Sequence, residues 1–94
     1  MPLTSKDARR VVEYEIDTYR KGIICICKGN DIITYEYLQF KEIYSVNHHI
    51  NIGVEIVFYN KDRRVFYNDD ENGSQNLFNT INSKMIKWMK SNLN

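Results

Sequence analysis

Few residues in this chain have the types and spacing to do chemistry. His48-His49 come first. Successive side chains of a strand point to opposite faces, so one metal takes both only if they sit in a loop. No third histidine exists, and Asp or Glu partners cannot be assigned by spacing. As a general base, His48 would need a nucleophile. Ser45 is three residues away, but no Gly-rich turn or oxyanion-hole loop accompanies it. Cys25 and Cys27 project from one face of a strand, too parallel to close a disulfide. No second pair completes a zinc site, so they read as small buried hydrophobes. Asp69-Asp70-Glu71 lacks the spacing of a calcium loop. There is neither a GxGxxG phrase nor a P-loop. The expectation is no catalytic residue, no metal, no cofactor, and a protein that is not an enzyme.

Binding chemistry is better represented. Seven tyrosines stand beside four phenylalanines and one tryptophan. Tyrosine joins area and rigidity to a polar tip, which suits contact surfaces. Tyr35 and Tyr37 share a strand face with Ile33, while Thr34 and Glu36 point the other way. Arg63-Arg64, near Tyr59 and Tyr67, could pair phosphates while aromatics stack bases. Asp62, Asp69 and Asp70 crowd that patch and weaken it for nucleic acid. Ile50 and Ile52 alternate about Asn51, next to the proline-free stretch Phe40–Val46. An exposed strand edge there would accept another chain or a second copy of this one. The alternative is that Ile50-Asn51-Ile52 starts the next strand inside the domain. The partner-binding candidates are Tyr35, Tyr37, His48, His49, Ile50, Ile52, Arg63 and Arg64.

These residues need elements to hold them. Ninety-four residues imply one domain, 1–94, with one modest core. Thirteen basic against twelve acidic residues leave +1, too little to draw in nucleic acid or an anionic membrane. The longest apolar run, Ile23–Cys27, cannot span a bilayer. MPLTSKDARR lacks the apolar stretch of a secretory signal, so the expected location is cytoplasmic.

Residues 1–9 read as a flexible lead or one helical turn opened by Thr4. Val12, Tyr14 and Ile16 alternate with Glu13, Glu15 and Asp17, which favours a strand over a helix. Gly22–Cys27 is apolar on both faces, as in a central strand. Lys28-Gly29-Asn30-Asp31 is a turn, and Ile32–Leu38 returns. Phe40–Val46 is a short strand, and Val54–Tyr59 with Arg64–Tyr67 form a second hairpin. The sheet is expected over 11–68. Over 74–91 the period changes to 3.6. Leu77, Phe78, Ile81, Met85, Trp88 and Met89 share one arc. Lys84, Lys87 and Lys90 lie opposite and read as a solvated face. The acids before the helix suit its N-terminal dipole, and Asn72 or Ser74 can cap it.

The fold class is therefore α+β: a bent antiparallel β-meander or open barrel of about six to seven strands, closed by one C-terminal amphipathic helix. That order resembles the pleckstrin-homology-like superfold. Ile33–Val46 is similar to the third and fourth strands of small bacterial members. Val54–Tyr67 looks like the following hairpin, and Trp88 is similar to the helix tryptophan of the eukaryotic domains. The resemblance covers about 11–92 and implies a sheet plugged by the final helix. The basic phrase that holds phosphoinositide headgroups in some members is absent. Arg20 and Lys21 precede Gly22 in the corresponding loop, but nothing completes such a site.

A small, catalytically bare domain acts by binding. The expected function is a non-catalytic module for protein–protein interaction. One alternative is a mobile-element or phage-encoded inhibitor that occupies a host enzyme's surface. It rests on small size and on a residue usage rich in Ile, Asn, Lys and Tyr, with one Ala and one Pro, typical of AT-rich genomes. A lipid- or nucleic-acid-binding module is the other alternative. A homodimer through a strand edge is a further expectation.

Overall fold

β-Branched and aromatic residues in alternation dictate strands over the first two thirds of the chain. The computed structural model describes residues 8–17, 19–70 and 72–92. Six strands and one helix follow in order: β1 (Ala8–Ile16), β2 (Gly22–Gly29), β3 (Ile32–Gln39), β4 (Ile43–His49), β5 (Gly53–Phe58), β6 (Arg63–Tyr67) and α1 (Gly73–Ser91). A 3-10 turn, Phe40–Glu42, joins β3 to β4. No helix among the described residues is long and apolar enough to cross a membrane.

The sheet runs β3-β2-β1-β6-β5-β4. It is two antiparallel three-stranded meanders joined by a parallel pairing of Ala8–Arg10 with Val65–Tyr67. The α+β arrangement with a C-terminal helix is as expected, but the sheet starts at Ala8 rather than at residue 11. Arg9 and Arg10 are thus strand residues, not a lead. The expected helical turn lies mostly on 4–7, outside the described residues.

Asn30 and Asp31 close the β2–β3 hairpin, both at positive φ, the geometry of a type I′ turn. Ile50, Asn51 and Ile52 form the β4–β5 turn and do not begin the next strand. Asn51 takes φ 66°, and the Ile52 N–H donates to the His49 carbonyl at 3.1 Å. Gly53, at φ 142°, is required because a Cβ there would run into the Phe66 carbonyl oxygen.

β1 carries a bulge between Val11 and Glu13. Val11, opposite Cys27, becomes the buried residue, while Val12 is exposed. Beyond the bulge, Tyr14 and Ile16 return to the core side, opposite Cys25 and Ile23. That face packs Ile23, Cys25, Cys27 and Leu38 against Val54, Ile56, Phe58 and Phe66. Leu77 and Ile81 of α1 plug it, with Phe78, Met85 and Trp88 packed at the rim. Met89 stays exposed, for a geometric reason. Nineteen helical residues reach roughly 28 Å, further than the six-residue strand β5 beneath them.

Asn68 secures the helix start. Its Nδ2 donates to the Val11 carbonyl at 3.0 Å, and its N–H donates to Ser74 Oγ at 3.1 Å. Asn72 occupies the N-cap in a left-handed conformation, without a side-chain cap bond.

Candidate functional site

The outer face of β1–β3 has an order set by register. Glu13, Ile26 and Tyr35 lie side by side across the three strands, and so do Glu15, Ile24 and Tyr37. Ile33 extends the ridge beside Lys28. Period 2 puts all of them on the side away from the core. Tyr35 is 71% exposed and Ile33 54%, while Ile24 and Ile26 are half-buried. The face therefore presents a strip of two tyrosines and three isoleucines with two carboxylates along one margin. β3 also has no second neighbour in the sheet, so one row of its backbone groups has no ladder partner there.

Tyr37 is held in place. Its hydroxyl donates to Asp17 Oδ2, and Asp17 Oδ1 accepts the Lys21 N–H at 2.7 Å. The bond from Tyr37 to the Asp17 carboxylate, then burial and that carboxylate's charge, push the Tyr37 phenol up. Gly22 is essential to the packing: a Cβ there would run into the Leu38 carbonyl oxygen and press on the Tyr37 ring.

The remaining predicted residues lie elsewhere. His48 and His49 point to opposite faces, as strand alternation requires. His48 stacks on Phe78 of the helix, ring centroids 5.8 Å apart. His49 Nε2 lies 3.0 Å from Glu55 Oε1, and Arg63 Nε lies 3.6 Å from Glu55 Oε2. Glu55 is the buried carboxylate of the fold, and burial without such partners would be costly. Ile50 is 79% exposed at the turn tip. Ile52 is half-buried and lines a cavity of about 190 Å³ with both histidines, Tyr67 and Asn68. Arg64 Nη1 donates to Glu36 Oε2 at 2.9 Å and its guanidinium covers the Phe58 ring. Arg9 also pairs with Glu36, so Arg64 ties β6 to β3. The eight candidates therefore divide: Tyr35 and Tyr37 on one face, the histidines and isoleucines at the β4–β5 turn, and the two arginines in ion pairs.

Reading the sequence passed over Ile24 and Ile26 as parts of a surface. Their signal was the uninterrupted apolar run of β2, which marks a strand with apolar side chains on both faces. Tyr44, in edge-to-face contact with Tyr59 at 5.6 Å, was likewise passed over. Among the described residues, no three histidine, cysteine or acidic side chains converge on a metal position. Burial, then the neighbouring Cys27, pushes the Cys25 thiol up to about 12. Burial raises Cys27 as well, although Arg9 works against it. Both thiols are thus held protonated and unreactive at neutral pH.

No family model, curated protein or solved structure matches this chain.

Proposed function

We propose that this chain is a non-catalytic, pleckstrin-homology-like binding module that grips another protein through the outer face of β1–β3. One observation carries the reading: the paired cross-strand rows Glu13–Ile26–Tyr35 and Glu15–Ile24–Tyr37. Apolar centre and charged margin is the layout of a protein interface. The partner has the complementary chemistry, an apolar ridge flanked by Lys or Arg. Neither Glu13 nor Glu15 forms an ion pair among the described residues, so both are available to steer such a partner.

The test compares tagged wild type with Tyr35→Ala/Ile33→Ala and with Glu13→Lys/Glu15→Lys in co-purification from cells that produce the protein. A partner held by wild type, lost by the apolar pair and weakened by the charge reversal, with melting unchanged, is the expected result. Retention of every partner by the apolar pair overturns the reading. Concentration-dependent dimerisation abolished by the same substitutions would assign the face to a second copy instead.

A further inference from the structure

At the far end of α1 the chain builds a cavity of about 640 Å³, within the range of small-molecule sites. Its walls come from segments distant in sequence. Arg20 and Lys21 enter from the β1–β2 turn, Lys84 and Lys87 from the last half of the helix, and Trp88 and Phe40 form the aromatic side. No Asp or Glu is among the described residues that line it, and none of the four cations makes an ion pair among the described residues. Asp17, the nearest acid in sequence, already accepts from Lys21 N–H and Tyr37 hydroxyl. The Lys21 ammonium instead lies 5.9 Å from the centroid of the Tyr19 ring. Four like charges line one concavity, and an anion placed among them would be attracted by each.

Arg20 is also held in an uncommon backbone conformation. Six residues other than glycine take positive φ, and four of them are Asn or Asp, which tolerate it. Arg20 does not belong to that class, yet holds φ 58°. It shares that exception with Lys61, at φ 75° in the β5–β6 turn, and it lines the basic cavity. Trp88 and Phe40 are fixed, with centroids 6.3 Å apart and planes tilted by 51°, and Phe40 is buried. A rigid aromatic wall next to cations recognises a planar ring that carries phosphates.

We propose that this cavity binds a nucleoside di- or triphosphate, with Arg20, Lys21, Lys84 and Lys87 on the phosphates and the base against Trp88. A long nucleic-acid strand or a flat anionic membrane fits less well, because the neighbouring outer sheet face carries Glu13 and Glu15 and the chain's net charge is only +1. The site is separate from the sheet face described above and does not depend on it.

Trp88 is the sole tryptophan, so its fluorescence reports on the site. ATP in EDTA-containing buffer is titrated by fluorescence and by calorimetry, beside adenosine, tripolyphosphate, a twelve-nucleotide single strand, and vesicles containing phosphatidylinositol 4,5-bisphosphate. ATP is expected to bind one to one, quench Trp88 and weaken as salt rises. Adenosine and tripolyphosphate should each bind at least tenfold more weakly, since each offers half of the recognition. Lys84→Gln/Lys87→Gln should lower affinity for ATP at least tenfold. Arg20→Gly should lower it several-fold while melting stays the same or rises, because glycine accepts φ 58° freely; that variant separates a binding defect from a folding defect. Tyr35→Ala should leave ATP affinity unchanged. No binding at millimolar ATP overturns the proposal, and so does tripolyphosphate binding as tightly as ATP. A strand or vesicle bound tenfold more tightly than ATP overturns it in favour of that ligand. Unchanged affinity in Arg20→Gly and in the double lysine variant also overturns it.

Discussion

β3 and β5 are of similar length and each belongs to a three-stranded meander, yet their surroundings are opposite. In β5, Gly53, Val54, Glu55 and Ile56 are consecutive and all buried. In β3, Ile32, Ile33, Thr34 and Tyr35 are consecutive and all exposed. The helix explains half of the difference, since α1 lies against β4, β5 and β6. Position explains the rest: β5 has a neighbour on each side, and β3 ends the sheet. The β4–β6 half is covered by the helix and buries even a carboxylate, Glu55, against His49 and Arg63. The β1–β3 half leaves apolar area uncovered. A strand of Ile, Tyr and Thr without a cover gains little for folding, and it is this uncovered area that the proposed docking surface uses.

The largest expected effect falls on the covered half. Phe66 is fully buried in the core that sheet and helix residues share. Phe66→Ala should cost about 3–5 kcal/mol, enough to unfold much of a small domain's population. Chemical denaturation measures it. A loss below 1 kcal/mol would show that the β4–β6 half does not dominate stability.

Next in size is an alkaline effect in the other meander. The Cys25 thiol is raised from 9.0 to about 12 by burial and by Cys27. A folded-state pKa above the unfolded one means that the folded chain keeps its proton where the unfolded chain releases it. That contribution is complete below pH 9 and is lost between about 9 and 12, amounting to about 4 kcal/mol at most. Melting temperature should fall through that window, and Cys25→Ala should flatten the slope even if it lowers the plateau. An equal slope in the variant would assign alkaline sensitivity to other groups.

These two predictions also mark what the sequence made legible. The apolar arc Leu77–Trp88 identified the helix, because its period of 3.6 is local and repeated. The turn was visible within Lys28–Asp31, because Gly and Asn tolerate positive φ, although Lys28 and Gly29 belong to β2. The parallel join of Ala8–Arg10 to Val65–Tyr67 was not. Arg9 and Arg10 look like a solvated lead, and their pairing is decided by a strand more than fifty positions later. The bulge at Val11/Glu13 hid the buried Val11 in a regular alternation that began at Val12. For the functional surfaces, Tyr35 and Tyr37 were found by period 2 alone. The basic cavity was invisible, because Arg20-Lys21 and Lys84/Lys87 converge only after the helix overhangs the sheet.

A smaller effect tests how the uncovered half is organised. The Tyr37 phenol is raised by its bond to Asp17, then by burial and by that carboxylate's charge. An ultraviolet titration should therefore show Tyr37 ionising at higher pH than it does in Asp17→Asn. Tyr37→Phe removes one hydrogen bond from a partly exposed position and should cost about 0.5–1 kcal/mol. If Asp17→Asn leaves the titration unchanged, Tyr37 is not anchored and the face is less ordered than its register suggests.

The smallest stability effect is expected at the residue with the most exposed side chain of the ridge. Tyr35 is 71% exposed, so Tyr35→Thr forfeits little burial. Threonine, being β-branched, is itself favoured in strands. The change should shift stability by less than about 0.5 kcal/mol, the ordinary range for surface substitutions. The comparison between the two strands makes this informative. The same substitution class on β5, Ile56→Thr, places a hydroxyl at a fully buried position and should cost about 2–4 kcal/mol. If Tyr35→Thr proved as damaging as Ile56→Thr, the β3 ridge would be a structural face and the proposed docking surface would fall. If it proved harmless to folding, any binding it abolished would belong to the ridge itself.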